Sequence, residues 1–177
     1  MVICVDKDII LLSEKDILYR NATQKLLDTI AHMKLEPTEK DTAVHLTQMF
    51  RSAFQSPDVK KATLGPDIQE IGDTSIFRYD SEGFCRASSI AFANIINDKS
   101  NNWQVRYIDE LWTFGPHHYL YHKPSKTVLN LTFDQFVVDG IQQIPYDMGR
   151  VVPDKYKNDV MAQRFIKAIK NHQANKE

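Results

Sequence analysis

Gly83-Phe84-Cys85-Arg86-Ala87-Ser88-Ser89-Ile90-Ala91-Phe92-Ala93-Asn94-Ile95-Ile96 joins a turn-forming run, Tyr79-Asp80-Ser81-Glu82-Gly83, to an apolar helix with a cysteine in its first turn. Unpaired backbone N–H groups and the positive end of the helix dipole favour negative charge there, so this is a place where a thiolate is stabilised. About thirty residues on, Pro116-His117-His118-Tyr119-Leu120-Tyr121 reads as a β-strand. It turns back through Lys123-Pro124-Ser125-Lys126 into a second strand, Thr127-Val128-Leu129-Asn130-Leu131-Thr132. The chain thus presents, in order, a thiol on a helix end, an imidazole on a strand and a carboxamide on the next strand.

Outward from that segment the pattern is helices first, then strands. Ser13 opens a helix with Asp16 as its capping-box partner, and Ile17, Leu18, Leu26, Leu27, Ile30 and Ala31 recur at helical spacing to about Met33. Thr38 is read as the N-cap of a second helix carrying Ala43, Leu46, Met49, Phe50, Ala53 and Phe54. Residues from about Ser56 to Asp73 are expected to form a connection, with a turn at Gly65-Pro66-Asp67 and a short edge strand from Asp73 to Tyr79. Trp103 to Ile108 alternates as a strand, and a short helix is expected from about Phe133 to Val138. Ile144-Pro145-Tyr146 and Val151-Val152-Pro153 are extended breaks. A last amphipathic helix carries Val160, Met161, Phe165, Ile166, Ala168 and Ile169, and the tail from Asn171 is expected to fray. The fold class expected is α+β, with a helical region over residues 1–70 (scaffold or docking lobe) and a catalytic domain over 71–177.

Composition narrows the function. The 177 residues are 42% hydrophobic and 25% charged, as in an ordinary globular protein with a core of its own. A net charge of −1 gives no footprint for nucleic acid or an anionic membrane. No stretch has the length of a membrane span, and the N-terminus lacks a basic region and a cleavage site. Six glycines, with no G-x-G-x-x-G or P-loop pattern, argue against a phosphate-cradling loop. The two cysteines, Cys4 and Cys85, suit a reducing compartment. One cysteine with adjacent histidines lacks the ligand spacing of a zinc site, so neither metal nor cofactor is expected. The sequence assigns no oligomeric state.

Cysteine chemistry requires an accessible thiol and an adjacent base. A free cysteine is also a common core residue, and the nearby histidine pair is what favours catalysis here. Because strand side chains alternate, only one of His117 and His118 faces Cys85. An odd-numbered hairpin loop puts Asn130 opposite His118; a two-residue Pro124-Ser125 turn puts it opposite Tyr119, on the face of His117. Asn130 is the candidate for orienting the base, and Asp134, where strand becomes helix, is the alternative. His122, near the turn, is expected to be solvated, and His32, His45 and His172 read as structural. Trp112, Phe114, Tyr119 and Tyr121 form either ordinary core or an aromatic contact surface.

Gly83-Phe84-Cys85, then His118, then Leu129-Asn130-Leu131-Thr132-Phe133-Asp134-Gln135-Phe136 resembles the papain-like and transglutaminase-like cysteine enzymes. The similarity is greatest to the bacterial branch of glutamine deamidase toxins and effectors, which carries an Asp-Leu-Thr-x-x-Gln-Phe segment. It spans roughly Tyr79 to Phe136. The resemblance implies a nucleophile helix packed on an antiparallel sheet, with Cys85 as nucleophile, His118 rather than His117 as base, Asn130 at the usual Asp position and Gln135 at the family Gln. It implies a thioester intermediate and a protein substrate with a glutamine side chain. The site is then cytoplasmic, or delivered into a target cell by a signal-peptide-independent route. Asn in place of Asp departs from that branch and withholds charge support from an imidazolium. Proteolysis and transglutamination are the neighbouring reactions. A non-catalytic binding module on the same scaffold is the reading from another class.

Overall fold

The computed structural model describes residues 2–5, 8–11, 13–71, 80–98, 100–109, 116–138, 143–153 and 158–175. The expected edge strand over 73–79, together with Trp112 and Phe114, lies outside them. The chain is α+β. A hairpin of β1 (Val2–Val5) and β2 (Asp8–Leu11) precedes three helices, α1 (Glu14–His32), α2 (Pro37–Phe54) and α3 (Pro57–Ile71). Then come α4 (Cys85–Ile96), β3 (Trp103–Ile108), β4 (His117–His122), β5 (Thr127–Leu129), α5 (Asp134–Val138), β6 (Arg150–Val151) and α6 (Val160–Ala174). The four later strands form an antiparallel sheet in the order β5-β4-β3-β6. Among the described residues no helix is long and apolar enough to cross a membrane.

Local chemistry explains most boundaries. Ser13 and Asp16 make the reciprocal capping box that opens α1. The second helix is capped at Glu36, two residues before the expected Thr38, because Pro37 occupies its first turn, where a missing N–H costs nothing. The expected connection after Ser56 is instead α3. Pro57 starts it, and the Ser56 hydroxyl accepts from the Val59 N–H. Gly65-Pro66 therefore lies inside a helix and not in a turn. The last helix runs on to Ala174, past the point where fraying was expected; the Asp159 carboxylate caps its start through the Ala162 N–H (2.9 Å).

One core runs through the molecule. Leu26 and Ile30 of α1, Phe50 and Phe54 of α2, Phe92 of α4, Trp103 and Val105 of β3, Leu120 of β4 and Phe165 of α6 belong to a single buried cluster. The helices before residue 70 therefore share their core with the sheet. Phe84 matters most for the site. It is fully buried, stacked on Phe54 at 4.6 Å and packed on Phe165 at 5.3 Å, and so it nails down the residue before Cys85. Gly83 makes the entry with φ 83, a left-handed conformation that an L side chain resists.

Arg51 ties these layers together from within. Nε donates to Thr23 Oγ1, Nη1 to the Leu131 carbonyl and Asp134 Oδ1 (2.7 Å), and Nη2 to the Tyr19 carbonyl and Asp134 Oδ2. Every guanidinium N–H is satisfied, and the Tyr19 ring lies under the charge at 3.8 Å. Asp134 is thus the counter-ion of a buried arginine and is not available to a catalytic histidine.

Candidate active site

Cys85 is the first residue of α4, and it keeps part of its surface open to solvent. Helix and sheet are set in register by Asn97 at the other end of α4, which exchanges hydrogen bonds with the Trp103 backbone in both directions (2.7 and 3.1 Å). That fixes the C-terminus of α4 over Trp103 and its N-terminus towards Tyr107. In the β3–β4 ladder Trp103 faces His122, Val105 faces Leu120 and Tyr107 faces His118. Val105 and Leu120 belong to the core that includes α4, so alternation puts His118 on the helix-covered face, at the Cys85 end. The His118 backbone N–H bears on the Cys85 sulfur, as do those of Arg86 and Cys85 itself.

Charge at this end is finely set. Burial pushes the Cys85 thiol up, and those three N–H groups with the Arg86 guanidinium oppose the rise without reversing it. The ground state is therefore a thiol, not the ready thiolate that a helix N-terminus alone suggests. Burial and the Arg86 charge hold His118 down to about 4, while the Asp159 carboxylate pulls the other way. Tyr107 stacks on the imidazole at 5.9 Å. Nδ1 of His118 is buried and has no hydrogen-bond partner among the described residues. The ring, with Arg86, Tyr107, Asp159 and Val160, lines an open cleft of about 1020 Å³ between the start of α4 and the start of α6.

The other candidates assemble on the opposite face. Strand β5 pairs Tyr121 with Val128 and Leu120 with Leu129, the register of a two-residue Pro124-Ser125 turn, which carries Asn130 to the face of His117. Thr132 N–H donates to Asn130 Oδ1 (3.2 Å), and a backbone amide can only donate, so Nδ2 is the atom turned to the imidazole. It donates to His117 Nε2 (2.9 Å) and to Tyr146 Oη (2.9 Å). His117 is consequently the neutral Nδ1–H tautomer. Burial, reinforced by the neighbouring His118, holds it down to about 3, and Phe136 packs edge-on at 4.5 Å. Gln135 donates to Thr132 Oγ1 (3.1 Å) and so belongs to this network too.

Asn130 therefore does not orient His118, the partner that the family resemblance implies for it; an even-numbered hairpin loop sends the carboxamide to the wrong face. His122 is buried, not solvated: Ser125 Oγ lies 2.7 Å from its Nδ1 and Trp103 packs on its ring at 4.8 Å. Tyr119 is core, its hydroxyl donating to the Tyr146 carbonyl (2.9 Å), so it offers no contact surface. Arg86, Tyr107 and Asp159 were not singled out from sequence. Arg86 adjoins the cysteine, and Asp159 carries the ordinary N-cap signal of α6, but nothing in the chain brings them to one cleft before folding. Among the described residues no three His, Cys, Asp or Glu side chains gather as a metal site. Compared with protein-family models, with curated proteins and with solved structures, the chain finds no match in any of the three.

Proposed function

We propose that this protein is a cysteine-dependent acyl-transfer enzyme of papain-like (transglutaminase-like) build, and that its reaction is the deamidation of a protein glutamine. The observation that carries the reading is that the Cys85 sulfur, at the first residue of α4, takes the backbone N–H of His118, and that His118 and Arg86, the residue after the cysteine, line one open cleft. Its volume lies at the top of the small-ligand range, ~300–1,000 Å³, and its open form suits a side chain presented on a polypeptide more than a small free amide.

The chemistry starts from two neutral groups. As Sγ attacks the carboxamide carbon, His118 accepts the thiol proton at its unpartnered Nδ1. The carbonyl oxygen takes up negative charge, and the backbone N–H groups at the start of α4 stabilise it. The C–N bond breaks, ammonia leaves with the proton from His118, and a thioester remains. Water then attacks the thioester, releasing a glutamate side chain and restoring the thiol. While charged, the imidazole is supported by Asp159, the carboxylate that favours its protonated form. His117, Asn130, Gln135 and Asp134 are framework in this scheme. The compartment is a reducing one, reached by synthesis there or by signal-independent delivery.

Ammonia release from a glutamine-containing protein, with an intact-mass gain of about 1 Da, is the expected result for the wild type and is absent in Cys85→Ala. Cleavage products or crosslinked mass would move the assignment to protease or transglutaminase. A non-catalytic binding module is the second reading, favoured by the engagement of Asn130 with His117 and by the protonated thiol. Equal ammonia release from wild type and Cys85→Ala would remove the enzyme reading.

A further inference from the structure

We propose that Arg86 is a recognition group for a carboxylate on the substrate, one or two residues from the target glutamine, so that the enzyme selects acidic polypeptide segments; this rests on the reading of the preceding section. The comparison with Arg51 makes the case. Arg51 is buried and spends every N–H inside the protein. The Arg86 side chain is 51% exposed, lines the cleft and follows the nucleophile directly. Its Nε (2.9 Å) and Nη2 (2.5 Å) both donate to a single oxygen, Oδ2 of Asp159, and its remaining N–H groups have no partner among the described residues. Both oxygens of Asp159 are engaged, since Oδ1 takes the Ala162 N–H. The carboxylate thus holds the guanidinium in one orientation, which is the preorganisation that planar recognition of a second carboxylate needs.

Two further observations point to a ligand at this place. The first turn of α4 carries no acidic residue and no side-chain cap, so its positive end is uncompensated from within the helix. His118, whose buried Nδ1 has no partner among the described residues, lines the same cleft. The other cleft carboxylate, Asp109, is tied to Arg150 (2.8 Å) and does not oppose an incoming anion as a free charge. An extended peptide advances about 3.3 Å per residue, so a carboxylate one or two residues from the glutamine lies within a few ångströms of it along the chain, the scale that separates Cys85 from Arg86.

The test uses glutamine peptides with Asp, Asn or Lys beside the target. For the wild type, kcat/KM for ammonia release is expected to favour the Asp peptide over the Asn peptide by about 10- to 100-fold, the range of a charge-assisted hydrogen bond. Lys peptides should be poorest. The Asp/Asn ratio should fall to about one in Arg86→Gln, recover partly in Arg86→Lys and shrink with added salt. Binding of the same peptides to Cys85→Ala, by fluorescence anisotropy, should give the same order. Turnover with no Asp/Asn preference overturns the carboxylate subsite and leaves the enzyme. A preference in binding with no turnover of any peptide supports the subsite and removes the enzyme. No preference in either assay overturns the subsite outright, whether or not Arg86→Gln folds.

Discussion

His117 and His118 are adjacent in sequence, both buried and both held well below the usual histidine range, yet the two sides of β4 give them opposite surroundings. On the far side His117 is locked into one tautomer by Asn130, whose other donor and acceptor are taken up by Tyr146 and Thr132. On the helix side His118 has an empty Nδ1, a cleft in front of it and a sulfur against its backbone N–H. Burial cost is similar for the two rings. What differs is satisfaction: His117 has its Nε2 bond made inside the protein, whereas His118 lines a cleft with its Nδ1 unpartnered among the described residues.

The sharpest way to break that contrast is to remove each ring in turn. His118→Gln is expected to cut kcat/KM for ammonia release by about 10²- to 10⁴-fold, the usual worth of a general base, with little change in thermal stability. His117→Gln is expected to do the reverse, lowering the melting temperature while activity per folded molecule changes far less. Equal activity losses at preserved fold would end the division of labour between the faces.

Asn130 gives a smaller and more discriminating effect. Asn130→Ala leaves His117 Nε2 and Tyr146 Oη without their donor, at a cost of about 1–3 kcal/mol in denaturant unfolding. Asn130→Asp separates the roles. A carboxylate that completed a triad on His118 would raise activity and move its acid limb upward. Beside His117 it puts an unpaired negative charge next to a nitrogen that now has no proton to give, so stability falls and the acid limb of activity stays where it was. A rise in kcat with Asn130→Asp would return Asn130 to the catalytic group.

The elements that were legible in sequence are those set by local chemistry. The capping box at Ser13, the glycine turn into the Cys85 helix and the alternation of β3 and β4 each follow from a few neighbouring residues. Helix α3 was missed because Gly65-Pro66 reads as a turn, whereas Pro57 at the helix start and packing against α6 outweigh it. At the site the order Cys, His, Asn was visible, but the partnership was not. It hinges on whether the Lys123–Lys126 loop counts odd or even, and a residue with φ 54 at Lys126 decides that locally without any signature in its side chain. The buried role of Arg51 has no local signature either; its partners lie on α1, at Tyr19 and Thr23, and as far along the chain as Asp134, 83 residues away, and no local pattern carries such a fact.

The smallest effect, per unit of what is varied, is also the one that reads both faces together. The folded pKa of His117 is about 3 and that of His118 about 4, both below the free value of about 6.5. Between those limits the unfolded chain binds protons that the folded chain refuses, so ∂ΔG/∂pH of unfolding is positive. Stability is full above about pH 6.5 and drains away as pH falls towards 3, each ring contributing at most about 1.4 kcal/mol per pH unit. The two steps are ordered, because a charged His118 pushes His117 lower still. Both rings contribute to the decline between about pH 6.5 and 4, and His117 alone below that, so His118→Gln should reduce the slope only above about pH 4 whereas His117→Gln should also flatten the part below it, in urea titrations run from pH 7 to pH 3. Activity follows the same logic. His118 must be unprotonated to take the thiol proton, so kcat/KM should persist well below pH 6.5 and fall towards 4, limited there by unfolding. An acid limb at 6.5 would mean a solvated ring, and the asymmetry between the two faces would lose its electrostatic half.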